Sequence, residues 1–148
     1  MAISYNFYVN GHFEIKSSLE LFLTENKISY QKSPNEKYDL YNDCGILIGI
    51  KTKEVNHFEY EANEKNIDYT WGKCTEISFR TDKFFDYNKS LFCILKIVQF
   101  LLIQCEADAV LLANNESLLL KREKGIITTN NANENFTSML KKILFLFN

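Results

Sequence analysis

The chain has 148 residues, 46% of them hydrophobic and 24% charged, with a single proline and a formal net charge of −2. That composition excludes a disordered or fibrous chain, and the length suffices to bury a core without disulfides or a structural metal. The weak negative charge disfavours sequence-independent binding to nucleic acid phosphates. One domain spanning residues 1–148 is the expectation.

Taken in chain order, Ile3, Tyr5, Phe7 and Val9 alternate with polar residues, the period of a half-buried strand. The N-terminus lacks a basic start followed by an apolar stretch, so no secretion signal is read there and the cytoplasm is the expected compartment. Ser17 and Glu20 have the spacing of a capping box, and Leu19, Phe22 and Leu23 recur at helical spacing. They predict a first helix over about 18–25. Pro34-Asn35 marks a turn between two short edge strands, around Ile28–Tyr30 and Tyr38–Leu40. Cys44, Ile46, Ile48 and Ile50 share one face of the next strand, and Gly45 and Gly49 on the other face predict a close approach or a bulge.

Residues 52–70 show no clean period and predict a long exposed connection. Residues 54–68 within it are acidic: Glu54, Glu59, Glu61, Glu64 and Asp68 accompany Lys65 alone. His57, Phe58 and Tyr60 lie among them. An acidic segment with interleaved aromatics attracts a basic protein partner and offers it apolar anchors. Glu54, His57, Phe58, Glu59, Tyr60, Glu61 and Glu64 are therefore the candidate recognition residues. Trp71 reads first as a core residue and second as a further anchor.

Ile77, Phe79 and Thr81 alternate with polar residues as another strand, and Asp86 is placed to cap a following helix. Leu91–Ile103 is apolar except for Lys96 and Gln99. At roughly 13 residues it falls short of the ~20 that a bilayer span needs and predicts a buried helix. Ala109–Ala113, Ser117–Arg122 and Gly125–Thr129 read as three antiparallel strands turned at Asn114-Asn115 and Lys124-Gly125. Phe136, Met139, Leu140, Ile143, Leu144 and Phe147 predict an amphipathic C-terminal helix over about 133–147, covering the long apolar helix or seaming a dimer.

The resulting expectation is a two-layer α/β sandwich, in the order β-α-β-β-α-β-β-β. A mostly antiparallel sheet of about six strands packs on two main helices, with the C-terminal helix added. No catalytic residue, metal ligand or cofactor site is assigned. The only histidines, His12 and His57, lack ligand neighbours at helical spacing, and no two of the four cysteines form a C-x-x-C pair. Cys44, Cys93 and Cys105 sit in apolar runs and read as buried reduced thiols.

The run from Thr75 to Asn130 resembles the immunity proteins of the swarm-inhibition (Sit) toxin systems. The carrying residues are the strand ending Phe79, Arg80, Asp82, Lys83, Phe84, then the apolar helix, then Asp108–Leu112 with Asn114 and Leu118–Leu120. The chain departs from the pattern at Lys121-Arg122-Glu123-Lys124, where an arginine-rich strand ending is usual, and in its terminal helix. The resemblance implies a non-enzymatic immunity protein in the cytoplasm of a toxin-producing bacterium, which binds a delivered toxin domain and occludes it. Immunity proteins of contact-dependent growth inhibition act the same way. If the toxin is a nuclease, its basic substrate groove would be met by the carboxylates of residues 54–64. Neither nucleic acid nor membrane is an expected partner, and the isolated chain is expected to be a monomer or weak homodimer. The alternatives are a small ligand-binding or regulatory domain, dimeric through its last helix, and an enzyme of unrecognised type.

Overall fold

The computed structural model describes residues 3–62, 65–130, 136, 138–140 and 142. The chain is mainly sheet. Strand β1 (Ser4–Asn10) leads into helix α1 (Ile15–Glu25), followed by β2 (Gln31–Lys32), β3 (Lys37–Leu40), β4 (Ile46–Lys53), β5 (Asn56–Ala62), β6 (Lys65–Trp71) and β7 (Cys74–Thr81). Helix α2 (Tyr87–Gln104) then precedes β8 (Ala109–Ala113), β9 (Ser117–Glu123) and β10 (Ile126–Thr129). The ten strands form one sheet in the order β2-β3-β4-β7-β1-β8-β9-β5-β6, with β10 also on β9. Pairing is antiparallel except where β5 meets β9 in parallel at Glu61 and Ser117.

This overturns the expected sandwich of about six strands on two main helices. Four strands are additional: the short edge strands β2 and β3 join the sheet, and β5 and β6 come from the acidic middle of the chain, which is not a long connection. It forms a hairpin, β5–β6, running in full register from Asn56↔Trp71 to Ala62↔Lys65. The first edge strand also sits later than expected, at Gln31–Lys32, whereas β3 falls where the sequence placed it.

The sheet buries both faces. On one face Phe7, Val9, Ile46, Ile48, Ile77, Phe79 and Leu111 pack against Leu19 and Leu23 of α1 and Leu91, Ile94, Ile97 and Val98 of α2. On the other, Tyr8, Cys74, Val110, Leu112 and Leu118 form a second core with Tyr60, Ala62 and Trp71 of the β5–β6 hairpin. Strand β1 serves both cores, which explains its consecutive buried run Phe7, Tyr8, Val9. A bulge between β8 and β9 at Leu111/Leu112 shifts the register by one residue. Leu118 accordingly joins the second core while Leu119 and Leu120 join the first.

Helix α1 begins three residues earlier than its apparent capping box. Its N-cap is Glu14, with no side-chain cap bond, and Ser17 lies inside the first turn. Ile15 extends the buried stripe of Leu19, Phe22 and Leu23, so burial of that apolar residue outweighs the cap that Ser17 would supply. Helix α2 starts as its sequence predicts: the Asp86 carboxylate accepts from the backbone N–H groups of Asn88 and Lys89, at 2.9 and 3.3 Å.

The end of α2 is held from a distance. No basic residue lies in its last turn. Arg122 reaches over from β9 instead, its guanidinium donating to the carbonyls of Leu102 at 2.7 Å, Cys105 at 2.5 Å and Ala107 at 2.6 and 2.9 Å. The helix C-terminus carries partial negative charge and unpaired carbonyls, and a buried guanidinium satisfies both.

Both hairpin turns after α2 form as the sequence predicts. Asn114 and Asn115 adopt φ of 51° and 57°. Their side chains tie the turn to β1, Asn114 Oδ1 accepting from the Ser4 N–H and Asn115 Oδ1 from the Tyr8 hydroxyl. Lys124 and Gly125 form the two-residue turn between β9 and β10. In the tail, Phe136, Ser138–Leu140 and Lys142 are helical, and Phe136 and Leu140 join the main core. Most of the apolar stripe predicted beyond them lies outside the described residues.

Gly45 is in the turn before β4, not in the strand. It has φ +64°, and a Cβ there would lie 2.3 Å from the Phe85 ring. Gly45→Ala combines a left-handed backbone with an overlap and is expected to cost about 2 kcal/mol. The check is a lower urea midpoint with an unchanged m-value.

Candidate recognition surface

The β5–β6 hairpin sorts the candidate residues by strand alternation. Tyr60 and Ala62 point into the second core, with Tyr60 only 2% exposed. His57, Glu59 and Glu61 are exposed on the opposite side of β5, as are Asn66, Asp68 and Thr70 on β6. Register pairs them directly: His57↔Thr70, Glu59↔Asp68 and Glu61↔Asn66. The predicted anchor Tyr60 is therefore a core residue, and Trp71, 8% exposed, packs in the same cluster. Glu54 is exposed in the link between β4 and β5. Phe58 lies on β5 opposite Tyr69. Glu64 lies outside the described residues.

What the hairpin presents is thus a polar ladder with three carboxylates, Glu59, Glu61 and Asp68. Sequence reading missed Asp68 and Thr70 as members, because only the strand pairing brings them beside residues 57–61. The period-two pattern of residues 65–71 is the signal that would have found them.

His57 organises the centre of the ladder. Its Nε2 is 3.0 Å from Asp68 Oδ1 and 3.9 Å from Glu59 Oε1, and its Nδ1 is 2.8 Å from Thr70 Oγ1. The carboxylates of Glu59 and Asp68 stand directly opposite each other, a like-charge arrangement that weakens a strand pair. The side chains of His57, Glu59 and Asp68 are 55%, 73% and 67% exposed. Solvent therefore screens the repulsion, and the contacts among them add little to folding.

The ligand atoms of these three residues lie within 4.8 Å of one another, a spacing that a divalent cation accepts. Three open, exposed ligands fall short of the closed four-ligand set of a structural zinc. The covered side of the hairpin packs Tyr60, Ala62 and Trp71 on the second core, so the polar ladder sits on an apolar shelf.

Elsewhere, a groove of about 710 Å³ runs between the start of α1 and strand β4, lined by Phe13, Lys16, Glu36, Lys51 and Lys53 among others. Lys16 and Glu36 are ion-paired across it. Its charged groups carry both signs. No helix is long and apolar enough to cross a membrane among the described residues.

The described residues thus form a sheet covered on both faces that displays an acidic strand pair at one edge. Comparison with protein families places the chain more closely: the family model described as SitI3-like matches residues 3–139. The chain belongs to this family, and the Sit-type immunity resemblance carried by the residues from Thr75 to Asn130 extends back through β1 and forward into the tail. Neither the curated proteins nor the solved structures include a match.

Proposed function

We propose that this chain is a cytoplasmic immunity protein. In this reading it binds a cognate toxin domain through the outer face of the β5–β6 hairpin and blocks that domain sterically, without chemistry of its own. Membership of the SitI3-like family over residues 3–139 supports the immunity role. The observation that supports this surface is the Glu59↔Asp68 pair. Two carboxylates face each other across an exposed pair of strands at some cost to the hairpin, and a basic partner would turn that cost into complementarity. A toxin domain with a cationic substrate groove, as in a nuclease, has the fitting chemistry. Glu59, Glu61 and Asp68 would occupy phosphate positions in it, and Glu54 would lie at the rim.

The experiment is inhibition of a purified cognate toxin domain. An equimolar amount of the protein is expected to abolish the toxin's activity. The association rate is expected to fall at least about tenfold between 50 mM and 500 mM salt, because screening removes the steering by the acidic face. A toxin that keeps full activity in the presence of the folded protein contradicts the role. A salt-independent association rate contradicts this surface.

A further inference from the structure

Cys44 and Cys93 bring their sulfurs together from elements that are far apart in the chain. Cys44 lies in the turn before β4, and Cys93 lies on α2. Their Sγ atoms are 2.9 Å apart, with the Cys93 S–H donating to Cys44. The Ser90 hydroxyl donates to the Cys44 carbonyl at 2.7 Å, which pins the turn to the helix and leaves the two thiols little room to separate. Both cysteines line a groove of about 500 Å³ that also includes Phe92, Lys96 and Met139. The pair is therefore nearly buried, at 6% and 9% exposure, yet faces a space that a small reagent can enter.

The other two cysteines lack these features. Cys74 is fully buried in the second core on the opposite side of the sheet. Cys105 follows the last turn of α2, about 18 Å along the helix from Cys93.

We propose that Cys44 and Cys93 are a peroxide-oxidised dithiol that closes to an intramolecular disulfide. Cys44 is the attacking thiol. The hydrogen bond it accepts from Cys93 holds its pKa below the ordinary thiol value against the opposing effect of burial, and Cys93 is pushed up correspondingly. The Cys44 thiolate attacks one oxygen of hydrogen peroxide. The O–O bond breaks, hydroxide leaves and takes up a proton to become water, and Cys44 becomes a sulfenic acid. The Cys93 sulfur then attacks the Cys44 sulfur. The S–O bond breaks, and the departing hydroxide combines with the Cys93 proton as a second water. Two thiols are oxidised, one peroxide is reduced to two waters, and little backbone movement is needed to bring the sulfurs to a bond length of about 2.05 Å. The link encloses β4 to β7, including the β5–β6 hairpin, within one covalent loop.

The test uses the full chain treated with hydrogen peroxide, alkylated, and mapped by mass spectrometry without reduction. The expected result is an intact mass lower by two hydrogens, a crosslinked Cys44–Cys93 peptide, reversal by dithiothreitol, and a Tm higher by about 5 to 10 °C in the oxidised form. Cys93→Ser is expected to leave a Cys44 sulfenic acid that dimedone traps. Cys74→Ser and Cys105→Ser are expected to crosslink like the parent. Alkylation of both Cys44 and Cys93 after peroxide overturns the proposal, as does oxidation of Cys44 to the sulfinic acid without a crosslink, or a crosslink through Cys105. The map of the parent protein alone is decisive if a serine variant fails to fold.

Discussion

Arg122→Ala is expected to lower stability by about 3 kcal/mol, more than Gly45→Ala. The side chain is 7% exposed and its guanidinium serves the carbonyls of Leu102, Cys105 and Ala107. Truncation removes every one of those bonds and leaves the acceptors around the end of α2 without their donor. Hydrogen bonds from a charged donor contribute about 1.5–3 kcal/mol each in favourable cases, and partial rehydration of the more exposed carbonyls limits the total. Arg122→Lys is expected to recover less than half, because a single ammonium cannot span three carbonyls as the planar fork does. Urea denaturation of the three proteins gives the comparison. Equal midpoints would show that the C-terminus of α2 does not depend on this clamp.

The second large effect concerns binding. Glu59→Lys combined with Glu61→Lys is expected to weaken the toxin complex by at least about 100-fold while leaving the fold intact. Both side chains are exposed on β5, and neither belongs to the second core. Removing Glu59 also relieves its repulsion with Asp68, so the variant's urea midpoint is expected to equal or slightly exceed that of the parent. Weakened binding together with unchanged or improved stability is a signature that a structural role for these carboxylates cannot produce. Unchanged affinity would remove the hairpin face as the interface. Tyr60→Ala is predicted to behave in the opposite way. It removes a buried ring beneath the hairpin, so stability falls and binding follows only through loss of the shelf.

The parts of the fold legible in the sequence are those set by local rules. Period-two alternation marks β1 and β7, the Asp86 cap and apolar run mark α2, and the asparagine and glycine turns mark β8 to β10. The β5–β6 hairpin escaped because its contrast is low. The inward positions of β5 include a polar Asn56 and a small Ala62, and the outward positions of the hairpin include two opposed carboxylates, so only the alternation of Ile67, Tyr69 and Trp71 in β6 announces a strand. Tyr60 reads as a surface anchor from sequence for the same reason: an aromatic among acids looks exposed until alternation assigns it a side. The sheet gains two strands with that hairpin and two with β2 and β3, and the expectation of about six strands matched by two helices fails with them.

Long-range features were invisible for a different reason. Nothing near Arg122 in the chain reveals that it caps a helix ending 18 residues earlier, and nothing near Cys44 points to Cys93, 49 residues on. The candidate site was legible as a region, through its acidic composition, but not as a surface. Of the seven residues read from sequence, His57, Glu59 and Glu61 share one face with Asp68, and Tyr60 is on the other.

The most direct measurement is survival of cells that express the proposed cognate toxin domain together with this chain, either as the parent or carrying Glu59→Lys and Glu61→Lys, at matched levels of folded protein. The account predicts that the parent restores growth and the double variant does not. Death of cells carrying the parent protein, or equal rescue by both, would contradict it.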